Sequence, residues 1–199
     1  KDPDLSPRAG FVALIGAPNA GKSTLMNAMV GSKVSIVTPK VQTTRSRIRG
    51  IAMNKSAQII FVDTPGIFQP KRRLDRAMVQ AAWQGAEDCD VLLLVHDCAR
   101  REIDSDTLSI VRQLAEFKRC ASLVLNKIDL APPERLLSRA DELSNMFDFE
   151  KIFMVSAQSS DGIDDLRGWL TDRMPDSPYL FDPDDLSDMP MRLLAAEIL

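Results

Sequence analysis

The sequence predicts an α/β domain in which a six-stranded sheet, mostly parallel with one antiparallel strand, carries helices on both faces. Three observations carry that expectation. Short apolar runs alternate with amphipathic stretches along most of the chain, the pattern of parallel strands joined by helices. The first apolar run leads directly into Gly16-Ala17-Pro18-Asn19-Ala20-Gly21-Lys22-Ser23, a glycine-bearing turn that opens a helix. Two neighbouring runs flank the polar stretch Asn54-Lys55-Ser56-Ala57, which suits a hairpin and places one antiparallel strand in the sheet.

Strands are expected near 11–16, 48–53, 59–62, 91–95, 122–125 and 152–155, and helices near 22–30, 75–87, 104–117, 133–147 and 163–174. Residues 1–9 read as an N-terminal tail and 10–174 as one domain. Beyond it, Pro175, Pro178, Pro183 and Pro190 alternate with Asp176, Asp182, Asp184, Asp185 and Asp188. Proline at that density blocks a helix and the carboxylates favour water, so 175–190 reads as a solvated linker. Residues 191–199 resume a helical pattern, with Leu194 and Ile198 four apart. They read as the start of a second domain that has been cut off, or as a short helix packing back on the first.

Of 199 residues, 45% are hydrophobic and 27% charged, enough for one substantial core. The formal net charge of −3 argues against a chain that grips nucleic acid over most of its surface. Cys89, Cys98 and Cys120 are scattered, with no C-x-x-C pair, so the expectation is a reducing, cytoplasmic setting. Cys120 opens an apolar run and reads as core filler. The longest aliphatic run, 91–95, is too short to cross a membrane. No signal peptide opens the chain, and Lys1 in place of Met suggests a trimmed start.

The segment 16–23 matches G-x-x-x-x-G-K-[ST] in full. Successive backbone N–H groups of such a loop curl around phosphates, and the glycines allow close approach. The helix N-terminus adds partial positive charge. Gly16, Asn19, Ala20, Gly21, Lys22, Ser23 and the following Thr24 are the candidate phosphate-binding residues. Lys22 reaches the β- and γ-phosphates, and the Ser23 hydroxyl suits Mg²⁺. A chain of this length matches the pattern by accident roughly once in a hundred times, so placement after an apolar run decides for function.

Further signals follow in order. The run 59–62 delivers Asp63-Thr64-Pro65-Gly66. The Asp63 carboxylate can hold a water of a magnesium shell, and the Gly66 N–H can approach a γ-phosphate. The run 122–125 delivers Asn126-Lys127-Ile128-Asp129. Asp129 can accept from guanine N1–H and N2–H together, and a buried carboxylate left unpaired by adenine is costly. Asn126 braces the loop and can touch N7, while the Lys127 stem lies over the base. Ser156-Ala157-Gln158 ends the last apolar run and can offer backbone N–H to guanine O6. Between the first helix and second strand lies 37–45, where Thr44, with Thr43 as the alternative, can complete the Mg²⁺ shell when γ-phosphate is present. The ligand set is thus GTP or GDP with Mg²⁺ on Ser23, Thr44 and Asp63, and the hydrolytic set is Lys22, Thr44 and Gly66.

Those five segments, together with the wording Gln42-Thr43-Thr44-Arg45 and the tail Arg192-Leu193-Leu194-Ala195-Ala196-Glu197-Ile198, resemble the Era/TrmE-type small GTPases, and most of all the bacterial Era family. The resemblance covers roughly residues 10–199. It implies a P-loop NTPase G domain, followed in the whole protein by an RNA-binding KH domain that this chain lacks. It further implies GTP hydrolysis, a role in assembly of the small ribosomal subunit and 16S rRNA maturation, a monomer, and peripheral membrane association. Without a G-x-x-G loop after Met191, rRNA binding by this chain alone is not expected.

Ile67 follows Gly66, where Ras-like enzymes place a water-orienting glutamine, and isoleucine makes no hydrogen bond to water. Slow unaided turnover follows. Asn19 has the identity seen in potassium-activated relatives, so K⁺ is a candidate helper; the alternative is that Asn19 only braces the turn. Arg45, Arg47 and Arg49 with Lys40, and separately Lys71-Arg72-Arg73, are local basic clusters. They read as solvated residues of moving segments, or else as an rRNA phosphate surface. His96 stands alone as a histidine, which argues against a catalytic or metal role. Trp83 and Trp169 read as core anchors. Three classes compete: a GTP hydrolase, a nucleotide-gated partner-binding module with negligible hydrolysis, and a nucleotide kinase, which Asn126–Asp129 disfavours. GTPases of tRNA modification or large-subunit assembly share all five segments.

Overall fold

The computed structural model describes residues 6–31, 47–63 and 89–182. Among them a six-stranded sheet runs in the order β2-β3-β1-β4-β5-β6. Its strands are β1 (Arg8–Ile15), β2 (Arg47–Asn54), β3 (Ala57–Asp63), β4 (Val91–Asp97), β5 (Ser122–Asn126) and β6 (Ile152–Val155). Every pairing is parallel except β2 with β3. Those two form the expected hairpin across Lys55 and Ser56, with Lys55 at φ 52°.

The alternation of side chains along each strand divides the core into two layers. On one face Val12, Phe61, Leu93 and Val95 meet Leu25 and Met29 of α1 (Lys22–Val30) and Leu166 and Leu170 of α4 (Ile163–Arg173). On the other, Ala13, Ile15, Ile60 and Leu94 meet Ile110 and Leu114 of α2 (Ser105–Glu116) and Leu143 of α3 (Pro133–Ser144). All seven residues of β4 are buried, as expected of a central parallel strand covered on both sides. Each such aliphatic or aromatic side chain contributes about 1.5–3 kcal/mol. Asp104, in extended conformation, caps α2 by accepting from the Thr107 N–H at 2.8 Å, and Pro133 opens α3 where no donor is needed.

Several expectations shift. β1 starts at Arg8, inside the expected tail, because Arg8–Gly10 pair with Ala57–Ile59. β4 runs on to Asp97, two residues past the apolar run. The core cysteine is Cys98, while Cys120 is exposed, and burial pushes the Cys98 thiol up to about 12. Trp169 is half-buried, edge-on to Phe153 at 5.2 Å between centroids. The helix expected near 75–87, Trp83, and residues 183–199 lie outside the described residues.

The stretch read as a solvated linker is non-helical and mostly exposed where described, with ties the sequence did not announce. Its first half is tied to the domain. Ala9 N–H donates to Pro175 O at 3.2 Å and Ser177 N–H to Pro7 O at 3.1 Å. Gln58, fully buried in β3, accepts from the N–H groups of Leu180 and Phe181 at 2.9 and 3.0 Å. Its own amide donates to Phe181 O at 2.8 Å. A proline-rich segment with no ladder of its own must find partners for its buried backbone groups elsewhere, and a buried glutamine amide supplies both signs.

Candidate functional site

The C-terminal ends of β1, β4 and β5 lie side by side, and ligands of open α/β sheets bind outside that edge. Gly16 leaves β1 at φ 149°, and a Cβ there would stand 2.3 Å from Val95 O. Gly21 enters α1 at φ 94°, where a Cβ would stand 2.3 Å from Asn126 Nδ2. Both glycines are therefore demanded by conformation and by space. Asn19, between them, also takes a left-handed φ of 63°. The Lys22 ammonium folds back along the loop, donating to Gly16 O and Ala17 O at 2.8 Å each. Ser23 and Thr24 are exposed on the first turn of α1. A cavity of about 220 Å³ opens beside them, bounded by Lys22, Ser23, Arg49 and Phe61 among others.

The expected base-reading segment closes on this loop from β5. Buried Asn126 donates from Nδ2 to Ala20 O at 3.0 Å and accepts at Oδ1 from Ala157 N–H at 3.1 Å. One side chain thus braces the phosphate loop, as expected, and also ties it to the turn after β6. Lys127, at φ 63°, starts the turn Ile128–Leu130. Its ammonium donates to Asn19 O at 3.0 Å and pairs with Asp97 Oδ2 at 2.7 Å.

One expectation needs correction. Asp129 is exposed on its turn, so the cost of leaving its carboxylate unpaired arises only once a base covers it. In the turn 156–158, where backbone N–H was expected for guanine O6, two N–H groups have partners within the chain. Ser156 N–H donates to Asp161 O at 3.0 Å, and Ala157 N–H serves Asn126.

Asp63 ends β3, opposite Arg47 of β2, which puts it on the same edge of the sheet; its side chain is outside the description. Thr43, Thr44, Gly66, Ile67, Lys40, Arg45 and Lys71–Arg73 also lie outside the described residues. Among the described residues no group of three or more His, Cys, Asp or Glu gathers to hold a metal.

His96 lies beside the site on β4, fully buried. Burial pushes its pKa down to about 4, and the neighbouring Arg139 guanidinium adds to the effect against Asp104 and Asp97. The Thr107 hydroxyl donates to Asp104 Oδ2 at 2.9 Å, so the 3.4 Å contact to His96 Nδ1 makes that nitrogen the donor. Nε2 is left without a partner. Burial pushes the Asp104 carboxyl up, but the Thr107 bonds and the Arg100 charge outweigh it, and the net shift is downward.

Asp97 was missed in the sequence. The available signal was its place at the end of an apolar strand, equivalent to Asp63 and Asn126 on theirs.

A sequence profile of the family described as "50S ribosome-binding GTPase" matches residues 11–127. The chain is 56% identical over 191 residues to GTPase Era of Afipia carboxidovorans, covering 96% of this chain and 62% of that protein. It is 54% identical, with the same coverage, to GTPase Era of Bradyrhizobium diazoefficiens. The chain therefore spans about 62% of the length of these curated relatives. Among solved structures, it is similar to an Aquifex aeolicus Era variant bound to GDP·AlF4⁻, with TM-score 0.69 and 38% identity over 96% of this chain and 65% of that one. It is likewise similar to Era in complex with MgGDPNP and nucleotides 1506–1542 of 16S ribosomal RNA, with TM-score 0.71, 37% identity and the same coverage. Among the described residues no helix is long and apolar enough to cross a membrane.

Proposed function

The chain belongs to the family described as 50S ribosome-binding GTPases, and from that premise we propose that it binds GTP and GDP with Mg²⁺ and hydrolyses GTP as the switch domain of an Era-type GTPase. The observation that carries the reading is Asn126, whose one amide joins the phosphate loop at Ala20 to the turn at Ala157. That link between the two segments supports the reading in which Asp129, with the turn 156–158, meets the base of a nucleotide whose phosphates lie in the loop. Mg²⁺ would be held by Ser23, Asp63 and Thr44, with Thr43 as the alternative, and it supplies neutralisation of phosphate charge. The loop amides and Lys22 hold the phosphates for in-line attack by water, with Gly66 N–H on the γ-phosphate.

With Ile67 after Gly66, unaided turnover is slow. The same residue favours a second reading, a nucleotide-gated partner module with negligible hydrolysis. We take K⁺ as an activator through Asn19, whose side chain is exposed at the loop apex; equal turnover in K⁺ and Na⁺ removes that part. The partner chemistry is the small ribosomal subunit and its 16S rRNA, reached in the whole protein mainly through a KH domain, by a cytoplasmic monomer with peripheral membrane contact. Equilibrium binding of fluorescent GDP and ADP tests the core of the proposal: tight GDP with no measurable ADP supports it, and equal affinity overturns it. Single-turnover GTP hydrolysis with and without small-subunit particles then separates the enzyme from the gated module.

A further inference from the structure

Each loop carbonyl from Gly16 to Ala20 accepts a side-chain hydrogen bond, those of Gly16 and Ala17 from Lys22 within the loop. Beyond the Lys22, Lys127 and Asn126 bonds described above, Pro18 O accepts from Arg100 Nη2 at 3.4 Å. Asn126, Lys127 and Arg100 therefore hold three successive carbonyls, those of Ala20, Asn19 and Pro18. No cis peptide occurs among the described residues. In a trans peptide the N–H opposes the C=O of the preceding residue. Drawing Pro18 O and Ala20 O outward thus turns Asn19 N–H and Gly21 N–H to the opposite side, where an anion in the loop needs them. The intervening Ala20 N–H turns back to Ala17 O at 3.2 Å and closes the turn.

Arg100 is itself held. Its Nε lies 3.9 Å from Asp97 Oδ2, the same oxygen that pairs with Lys127. Its Nη1 lies 3.8 Å from Asp104 Oδ2 at the cap of α2. The backbone on either side is anchored to α3: Arg135 donates to Ala99 O at 3.3 Å and Arg139 to Arg101 O at 2.8 Å. Asp97 Oδ1 accepts from Ala99 N–H at 2.9 Å. An exposed arginine with loose ion pairs contributes little to stability. One fixed at its root, between two carboxylates, and aimed at a loop carbonyl does something else.

We propose that Arg100 is a positioning residue of the phosphate loop, which orients the Pro18–Asn19 peptide and thereby slows nucleotide release. The assignment rests on the nucleotide reading above. The role acts through the Pro18 carbonyl of the loop backbone, so its effect is the same for diphosphate and triphosphate.

The test is stopped-flow release of fluorescent GDP and of a non-hydrolysable GTP analogue from the 199-residue chain, alongside steady-state GTP turnover. Arg100→Ala is expected to release both nucleotides about fivefold faster, the loss of one charge-assisted hydrogen bond. KM for GTP rises by a similar factor with kcat unchanged, and Arg100→Lys, which keeps a cationic donor, recovers most of the difference. Release from Arg100→Ala at the wild-type rate overturns the assignment, as does an effect confined to the triphosphate. Lys as poor as Ala, with both unfolding at lower temperature without nucleotide, also overturns it by reducing Arg100 to a fold role. A wild-type chain that retains no GDP overturns the nucleotide reading itself, a distinguishable result.

Discussion

Asn126 Nδ2 donates to Ala20 O at 3.0 Å, joining residues 106 apart in the chain. The bond is buried, and its partner on the other side, Ala157 N–H, is buried too. β5 carries Asn126 to this place because β1, β4 and β5 are consecutive in the sheet. Removing the side chain leaves one carbonyl and one N–H without partners, at about 1–3 kcal/mol each. Asn126→Ala is therefore expected to lower the unfolding temperature of the nucleotide-free chain and weaken GDP binding by at least about tenfold. Calorimetric titration checks the second effect, and unchanged affinity would show that the brace is not used.

Asp129 tests the base assignment directly. A carboxylate accepts from guanine N1–H and N2–H, whereas an asparagine in its place accepts once and donates once. Xanthine keeps N1–H and replaces the amine by a carbonyl, so Asp129→Asn is expected to trade GDP for XDP by about two orders of magnitude. Competition of XDP against fluorescent GDP measures this. A variant that loses GDP without gaining XDP contradicts the proposed contact.

The His96 pKa, brought down to about 4 mainly by burial, makes a signed prediction. The unfolded histidine takes up its proton near pH 6.5, and the folded one does so only near 4. Between those values the unfolded state binds more protons, so this contribution is complete above pH 6.5 and is lost as pH falls to about 4. The shift corresponds to about 3 kcal/mol at most. His96→Leu is expected to flatten stability against pH in that window, as read by urea unfolding at pH 7, 5.5 and 4.5. Parallel wild-type and variant profiles would refute the assignment.

Gln58 carries three hydrogen bonds to Leu180 and Phe181 from a fully buried site. Gln58→Leu keeps the volume but strands those backbone groups. Loss of about 1–3 kcal/mol is expected, together with faster hydrogen exchange at the Leu180 and Phe181 amides. Protection retained at those two amides would mean that other contacts hold the segment.

The fold class was legible because parallel strands covered on both faces read as unbroken apolar runs, and β4 and β5 lie where such runs stand. Strand ends were less legible: Asp97 prolongs β4 although it is polar, because Asn126 beside it continues the ladder. The segment 175–182 is solvated and without helix as read, but proline and aspartate density reports only what a segment cannot form alone and says nothing of Gln58 beneath it.

Gly16–Ser23 and Asn126–Asp129 were determined by sequence alone, as each is a contiguous run whose chemistry depends on local spacing. The conformations that Gly16 and Gly21 must adopt follow from their place in that run. Only the tertiary structure decided what surrounds them. Arg100 reaches Pro18 across 82 residues, and Asn126 reaches Ala20 across 106. No local pattern announces either contact, because each is made by the order in which hydrophobic burial stacks the strands. Setting β1 beside β4, and β4 beside β5, brings three distant strand ends together around one loop.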